Sequence, residues 1–435
     1  MIGPKARSKI ERGKERLLVF PDCCSLVIVA LFLGYLPLSA AAATYSGGGG
    51  TSDAPFLIST AEDFKTIGDS PADWGKQFKL MQDIDLSGFS EVNLHMIGRW
   101  AALGSLQNQP FWGIFDGNGK TIANFRYRNM SAEYVGLFQH VTGEIRDLKL
   151  VGAVVAGNKL GTGALVGCLE KGAVLRCSAV NVRASGDTSV GGLVGAVEGG
   201  GAVHTSSSDG VVSGTRYVGG LVGLVGLGTV ARSYSKTWVT GTESVGGLAG
   251  VTTREESIVD SCYAQGDVKG SSYVGGLVGQ VSAGRVWRCY STSKVTGNAA
   301  AGGLVGYQRA LAQVLGCLWD KESGGQTTSV GGTGKSTADM KLMDTFLAMN
   351  WDFLATWTIC EGINYPVLLW QSPRGDFLCP DGVNFRDFTW FAANWRHRDC
   401  GAINLNCEGA DFDQSGSVEF RDLAIFAGNW LTGIE

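Results

Sequence analysis

The sequence predicts a mainly β fold: a right-handed parallel β-solenoid with coils of about 28 residues, followed by a small α-helical module. Three observations carry this. A Gly-Leu-Val-Gly motif recurs seven times between residues 135 and 306. Glycine accounts for 65 of 435 residues, about twice the usual share, while Pro is only 9. A 12-residue segment near the C-terminus is duplicated at an offset of 35, with seven identical positions.

The chain opens with a basic stretch from Lys5 to Arg16, an apolar run from Ser25 to Leu38, and the small residues Ser39–Ala43. This is the layout of a secretory signal peptide over 1–43. Its apolar run is shorter than the roughly 18 to 20 residues that a membrane span needs, and Pro37 interrupts it. No second hydrophobic span follows, so the mature chain is expected to have none and to be secreted, extracellular or at the cell surface. Processing would remove six basic and three acidic side chains from totals of 36 and 40, leaving 30 and 37. That acidic balance argues against a nucleic-acid partner. Residues 44–52 read as a Gly-rich linker.

Residues 53–130 read as an N-terminal cap with irregular first coils. Ser59-Thr-Ala-Glu62 suggests a capping box opening a short helix, with Phe64 and Ile67 on one face. Phe115-Asp-Gly-Asn-Gly-Lys-Thr-Ile122 has the chemistry of a tight turn; Asp116 and Asn118 are weaker candidates for a cation.

The repeats occupy 131–330. The motif leucines are Leu137, Leu165, Leu193, Leu221, Leu248, Leu277 and Leu304, spaced by 28, 28, 28, 27, 29 and 27 residues. The stretches between them are short, β-branched and bounded by Gly and Ser, which favours strands. The glycines are expected to serve at corners with positive φ and where backbones pass closely. About 12 to 14 residues after each leucine comes a small side chain: Cys177, Thr205, Ser233, Cys262, Cys289 and Cys317. The simplest expectation is an inward stack; a coil-to-coil disulfide such as Cys262–Cys289 is the alternative. Tyr234, Tyr263 and Tyr290 each follow that position and could form an outward ladder on which sugars stack, or could simply cover the solenoid. The acids of the repeat faces (Glu243, Glu255, Glu256, Asp260 and Asp267) show no recurrence in register, as paired glycosidase carboxylates would. Residues 331–372 would close the solenoid.

The Gly-Leu-Val-Gly repeats resemble the GLUG motif of secreted bacterial surface proteins. Phe56-Leu-Ile-Ser-Thr-Ala-Glu-Asp-Phe64, Asp83-Ile-Asp-Leu-Ser-Gly88 and the Trp351 to Pro366 stretch are similar to the segments that flank such repeats. The resemblance spans roughly 53–370. It implies architecture and no particular chemistry, since that group includes adhesin-like proteins and some peptidases.

The tail, 373–435, carries the more specific chemistry. Asp411-Phe-Asp-Gln-Ser-Gly-Ser-Val-Glu-Phe-Arg-Asp422 is a 12-residue loop with oxygen side chains at positions 1, 3, 5, 9 and 12 and a glycine at 6. Such a density of hard oxygens suits Ca²⁺: Asp411, Asp413, Ser415, Glu419 and Asp422 by side chain, Ser417 by its carbonyl. The first copy keeps Asp376, Asn384 and Asp387 but has Leu378 and Pro380 at positions 3 and 5, so it is a degenerate loop. A duplicated loop–helix with Asp at position 12 resembles the type I dockerin module. That resemblance implies calcium as cofactor and a cohesin-like or cell-surface scaffold protein as partner. Cys379, Cys400 and Cys407 allow one local disulfide.

Other chemistry is argued against. Gly331-Gly-Thr-Gly-Lys-Ser336 looks like a P-loop, but Ser329 stands where its first glycine should be. The four histidines (95, 140, 204 and 397) form no H-E-x-x-H zinc pattern, and no G-x-S-x-G nucleophile occurs. No catalytic residue is assigned. The reading is a secreted, non-catalytic scaffold for adhesion or extracellular assembly, tethered by a calcium-binding tail. The alternative is a carbohydrate-active protein (a polysaccharide-binding module, lyase or glycoside hydrolase) recruited through the same tail.

Overall fold

The structure is a computed structural model. It describes residues 44–435 apart from 103, 379–381, 402–403 and 434–435. The signal peptide expected over 1–43 lies outside the described residues. No helix among those described is long and apolar enough to cross a membrane.

The chain winds through three parallel sheets. The first has ten strands, from Phe56–Ile58 to Gln313–Leu315; the second has 20; the third has seven, from Phe138–Val141 to Val305–Gln308. One coil contributes to each sheet in turn, giving about seven regular coils of about 28 residues. Register is strict across the third sheet, where Val166, Val194, Val222, Ala249, Val278 and Val305 are successive partners. The motif leucines from Leu165 to Leu304 and the column Val174, Val203, Val230, Val259 and Val286 point inward and are at most 1% exposed. Each buried aliphatic side chain contributes about 1.5–3 kcal/mol of hydrophobic stabilisation. The leucine backbones continue the ladder: Leu193 N–H donates to Leu221 O at 3.0 Å, and Leu221 N–H to Leu248 O at 2.9 Å.

The motif glycines serve close approach alone. A Cβ on Gly192, Gly220, Gly247 or Gly276 would lie 2.1–2.2 Å from a carbonyl oxygen of the next coil. None of the four has positive φ. The corner just before each motif is held by Ser189, Tyr217, Ser244, Tyr273 and Ala300, with φ between 50° and 57°, whereas glycine takes positive φ elsewhere in the coils, as expected, at Gly152, Gly199, Gly266, Gly284 and Gly316. The positional demand in each motif is therefore for space, and the left-handed corner is met by ordinary residues.

The inward stack is present, one residue away from the expectation in one coil. Its members are Cys177, Ser206, Ser233, Cys262, Cys289 and Cys317. Thr205 sits on the preceding corner, with φ 53°. Four of these side chains accept the backbone N–H of the stack residue in the coil before: Cys177 N–H to Ser206 Oγ at 3.1 Å, Ser206 N–H to Ser233 Oγ at 3.0 Å, Cys262 N–H to Cys289 Sγ at 3.3 Å and Cys289 N–H to Cys317 Sγ at 3.4 Å. The stack thus satisfies buried backbone donors as well as filling volume. That is why Ser and Cys interchange there. Its four cysteines are free and buried, so the Cys262–Cys289 disulfide does not form.

At the N-terminal end, helix α1 (Ala61–Asp69) buries Phe64 and Ile67 over the first coils. Its N-cap is Thr60, with Asp63 completing the capping box, one residue later than the Ser59/Glu62 pairing. Asp116–Gly119 forms a turn: Asn118 N–H donates to Asp116 Oδ1 at 2.8 Å, and Asp116 is held by Arg146 at 3.1 Å. At the other end, Thr333–Lys335 is a strand paired with Leu318–Asp320, so the P-loop-like segment is part of the closing layer. Residues 340–371 then fold back along the flank of the solenoid.

Candidate metal centre and the tyrosine column

The tail is built from two copies of one unit, a loop followed by helix α2 (Phe385–Ala393) or α3 (Phe420–Gly428). Each copy clasps the other. Val383 N–H donates to Thr432 O at 3.0 Å, and Val418 N–H donates to His397 O at 3.0 Å, so each loop pairs with the chain leaving the opposite helix. Val383, Phe391, Phe412, Val418 and Phe426 form the shared core. Cys400 and Cys407 are disulfide-bonded, which supplies the expected local link, and Cys360 is disulfide-bonded as well.

The last residue of each loop has the same architectural task. Asp422 is fully buried and accepts the N–H groups of Phe412 at 2.6 Å, Asp413 at 3.2 Å and Glu419 at 2.9 Å. Asp387 does the same for Phe377, Leu378 and Asn384, at 2.7, 3.0 and 3.0 Å. Position 12 therefore ties each loop to its helix through backbone N–H groups.

The two copies differ at position 3. In the second loop, Asp411, Asp413 and Asp422 bring one carboxylate oxygen each within 4.8 Å of one another. Asp411 accepts Ser415 N–H at 3.0 Å and Gly416 N–H at 2.9 Å, so the loop wraps around it. Asp413 Oδ2 is enclosed without a hydrogen bond; Arg421 Nε stands 3.7 Å away. Hydrogen bonding from Ser415 leads the influences that hold the Asp413 carboxyl below its ordinary range. Three acceptor-only groups converging on one point, one with an enclosed oxygen and no hydrogen-bond donor, fit a hard divalent cation. Of the other predicted ligands, Ser415 donates its hydroxyl to Ser417 O at 3.2 Å, while Glu419 is an exposed N-cap outside the three-carboxylate group. In the first loop Leu378 replaces the middle carboxylate. There Asp376 accepts Gly382 N–H at 3.3 Å, and Asn384 caps α2 through Arg386 N–H at 2.8 Å.

The tyrosine column exists but faces the protein. Tyr234, Tyr263 and Tyr290 are stacked, with ring centroids 4.9 and 5.0 Å apart. Met340, Phe346, Trp351, Trp357 and Leu368 of the closing segment pack over them, leaving Tyr263 1% and Tyr290 0% exposed. Tyr290 Oη donates to Pro366 O at 2.7 Å, Tyr263 Oη pairs with Gln371, and Tyr234 stacks on Trp370. Tyr263 and Tyr290 are therefore anchors for the closing segment, with no face open to a sugar.

A carboxylate pair in register was missed. Glu170 and Glu198 are direct partners on neighbouring coils of the third sheet. Glu170 pairs with the buried His140 at 2.9 Å. Glu198 accepts Leu227 N–H at 3.4 Å, and burial raises its pKa. Their 28-residue separation, one coil, was the available signal.

No protein-family model matches the chain. Halomucin of Haloquadratum walsbyi is 31% identical over 113 residues, 26% of this chain and 1% of halomucin. A "Putative Gly-rich membrane protein" of Evansella cellulosilytica is 32% identical over 149 residues, 34% of this chain and 16% of that protein. The chain thus spans a small part of both relatives. Among solved structures, a "putative immunoglobulin A1 protease" from Bacteroides ovatus aligns with a TM-score of 0.49 and 21% identity, over 75% of this chain and 95% of that one. An "IgA1 Protease" aligns with a TM-score of 0.46 and 14% identity, over 71% of this chain and 25% of that one.

Proposed function

We propose that this protein is a secreted β-solenoid scaffold for adhesion or extracellular assembly, tethered through a GLUG-type repeat chain's dockerin-like tail that binds one Ca²⁺. The Asp411–Asp413–Asp422 cluster carries this reading. It combines three converging carboxylates with an enclosed oxygen that no hydrogen bond reaches, on a duplicated clasp. When bound, the ion would neutralise these carboxylates and replace the Arg421 contact. Asp411 and Asp422 would meanwhile keep organising the loop through backbone N–H groups. Phe385 and Phe420, at equivalent positions of the two copies, stand 75% and 77% exposed and offer apolar anchors to a cohesin-like or cell-surface scaffold partner. Partial similarity to halomucin and to a Gly-rich membrane protein supports an extracellular setting. Fluorescence-detected binding of the full chain to a cohesin panel, with Ca²⁺ and with EDTA, tests the tether. Calcium-dependent capture supports it, and capture by none of the panel counts against a cohesin partner.

The carbohydrate-active alternative draws on Glu170 and Glu198. Register places the two carboxylates on neighbouring coils of one sheet face, and glycoside hydrolysis needs such a pair of acids. Reducing-sugar release from a polysaccharide set, lost in Glu198→Gln, would favour it over the scaffold reading.

A further inference from the structure

A second site lies where the last coil meets the closing segment. On the outer face of the first sheet, Asp260, Trp287 and Leu315 are register partners on successive coils. Trp287 is 36% and Leu315 48% exposed. The adjoining corner column carries side chains at Arg176, Thr205, Arg232, Ser261 and Arg288, then changes to glycine at Gly316, all with positive φ. A Cβ at Gly316 would lie 3.0 Å from Met349 O. The glycine leaves a cavity of about 320 Å³ bounded by Trp287, Arg288, Leu315, Gly316, Met349 and Asn350.

Two guanidinium groups stand near the indole, with Arg285 Cζ 5.6 Å and Arg288 Cζ 5.7 Å from the Trp287 ring centroid. They differ in charge balance. Arg288 is neutralised by Asp260 through Nε at 3.0 Å and Nη2 at 2.7 and 2.8 Å. Arg285 is exposed and has no carboxylate within ion-pair distance among the described residues. Asn350, at φ 59°, presents an exposed carboxamide at the rim.

The cavity thus presents one partly exposed indole, two apolar walls and one amide, and the unpaired guanidinium of Arg285 stands beside it against the indole ring. A carboxylated sugar ring matches each of these. Its C–H face stacks on the indole, its carboxylate meets the free guanidinium, and its hydroxyls meet the amide. The volume is at the low end for ligand sites, which suits one ring of a polymer. We propose that this cavity binds a uronate unit of an acidic polysaccharide. The proposal rests on the extracellular adhesive role and gives it a ligand class.

Affinity electrophoresis of the full chain in gels containing polygalacturonate, with neutral galactan in parallel, tests it. Polygalacturonate should retard the protein and galactan should not. Trp287→Ala and Arg285→Gln should each weaken the apparent affinity at least tenfold while leaving the melting temperature unchanged. Trp238→Ala removes a 64%-exposed tryptophan on another sheet and should change nothing. Retardation should persist in Asp411→Ala/Asp422→Ala, which separates this site from the calcium tether. Absent retardation, equal retardation by galactan, unchanged retardation in both cavity variants, or loss in the tail variant would overturn the proposal.

Discussion

The solenoid and the tail both repeat, but under different constraints. A coil touches the same atoms of its neighbours that they touch of theirs, so a change in one copy is felt by the next. The motif glycines are fixed because a Cβ there would lie 2.1–2.2 Å from a carbonyl oxygen of the next coil. The two tail copies face each other across a clasp, and only the clasp must match. Asp387 and Asp422 keep the same backbone bonds, while Leu378 and Asp413 diverge. Uniform repeats therefore report architecture, and the divergence between the tail copies marks where the proposed cation chemistry would reside.

The largest expected effect breaks the solenoid side of this contrast. Gly247→Val would drive a side chain into Gly276 O, 2.2 Å from the Cβ position, with Ala264 Cβ at 2.9 Å. A loss of about 3 kcal/mol or more is expected, unrelieved by Ca²⁺, as a lowered midpoint in urea denaturation. A midpoint within error of wild type would contradict the close-approach role. In the tail, Asp387→Ala and Asp422→Ala should destabilise the module to a similar degree. Each strands three backbone donors, at a cost of about 1–3 kcal/mol apiece. Hydrogen exchange at Phe377 and Phe412 amides would register both changes. Loss confined to Asp422→Ala would show that position 12 serves only the metal.

Acid should loosen the ends before the coils. Burial works against the charged forms of Asp63 and Asp320. For Asp63, hydrogen bonds from Ser46, Ser59 and Thr60 outweigh it; for Asp320, those from Tyr365, Thr337, Glu322 and Ser323 do. Both carboxyls therefore titrate below their ordinary value in the folded chain. Their stabilisation is complete above that value and is lost as pH falls below about 3.8 and through the folded pKa. Emission from Trp351 and Trp357 in the closing segment should shift before circular dichroism of the sheets changes. Simultaneous transitions would count against separate ends. The smallest effect is expected for Cys289→Ser. Ser206 and Ser233 already fill the same stack, so the change should stay within about 1 kcal/mol.

Much of the solenoid could be read from the leucine spacing, because parallel stacking turns a constant sequence interval into a column. In one coil Ser206, and not Thr205, joins the stack, because the chain between leucine and stack varies in length from coil to coil and Thr205 takes the corner. The covering of Tyr263 and Tyr290 could not be read. It depends on residues 340–371 returning over coils some 80 positions earlier, and no local pattern encodes that. Glu170 and Glu198 were legible in principle at one coil's separation, but single acids carry no repeat signal. In the tail, the three carboxylates followed from loop spacing, whereas the Val383–Thr432 clasp required the fold.

The most direct test is calorimetric titration of the full chain with Ca²⁺. One site is expected, absent in Asp413→Ala, which keeps the position-12 backbone bonds, and retained in Asp376→Ala. No binding at millimolar Ca²⁺, or equal binding by wild type and Asp413→Ala, would contradict it.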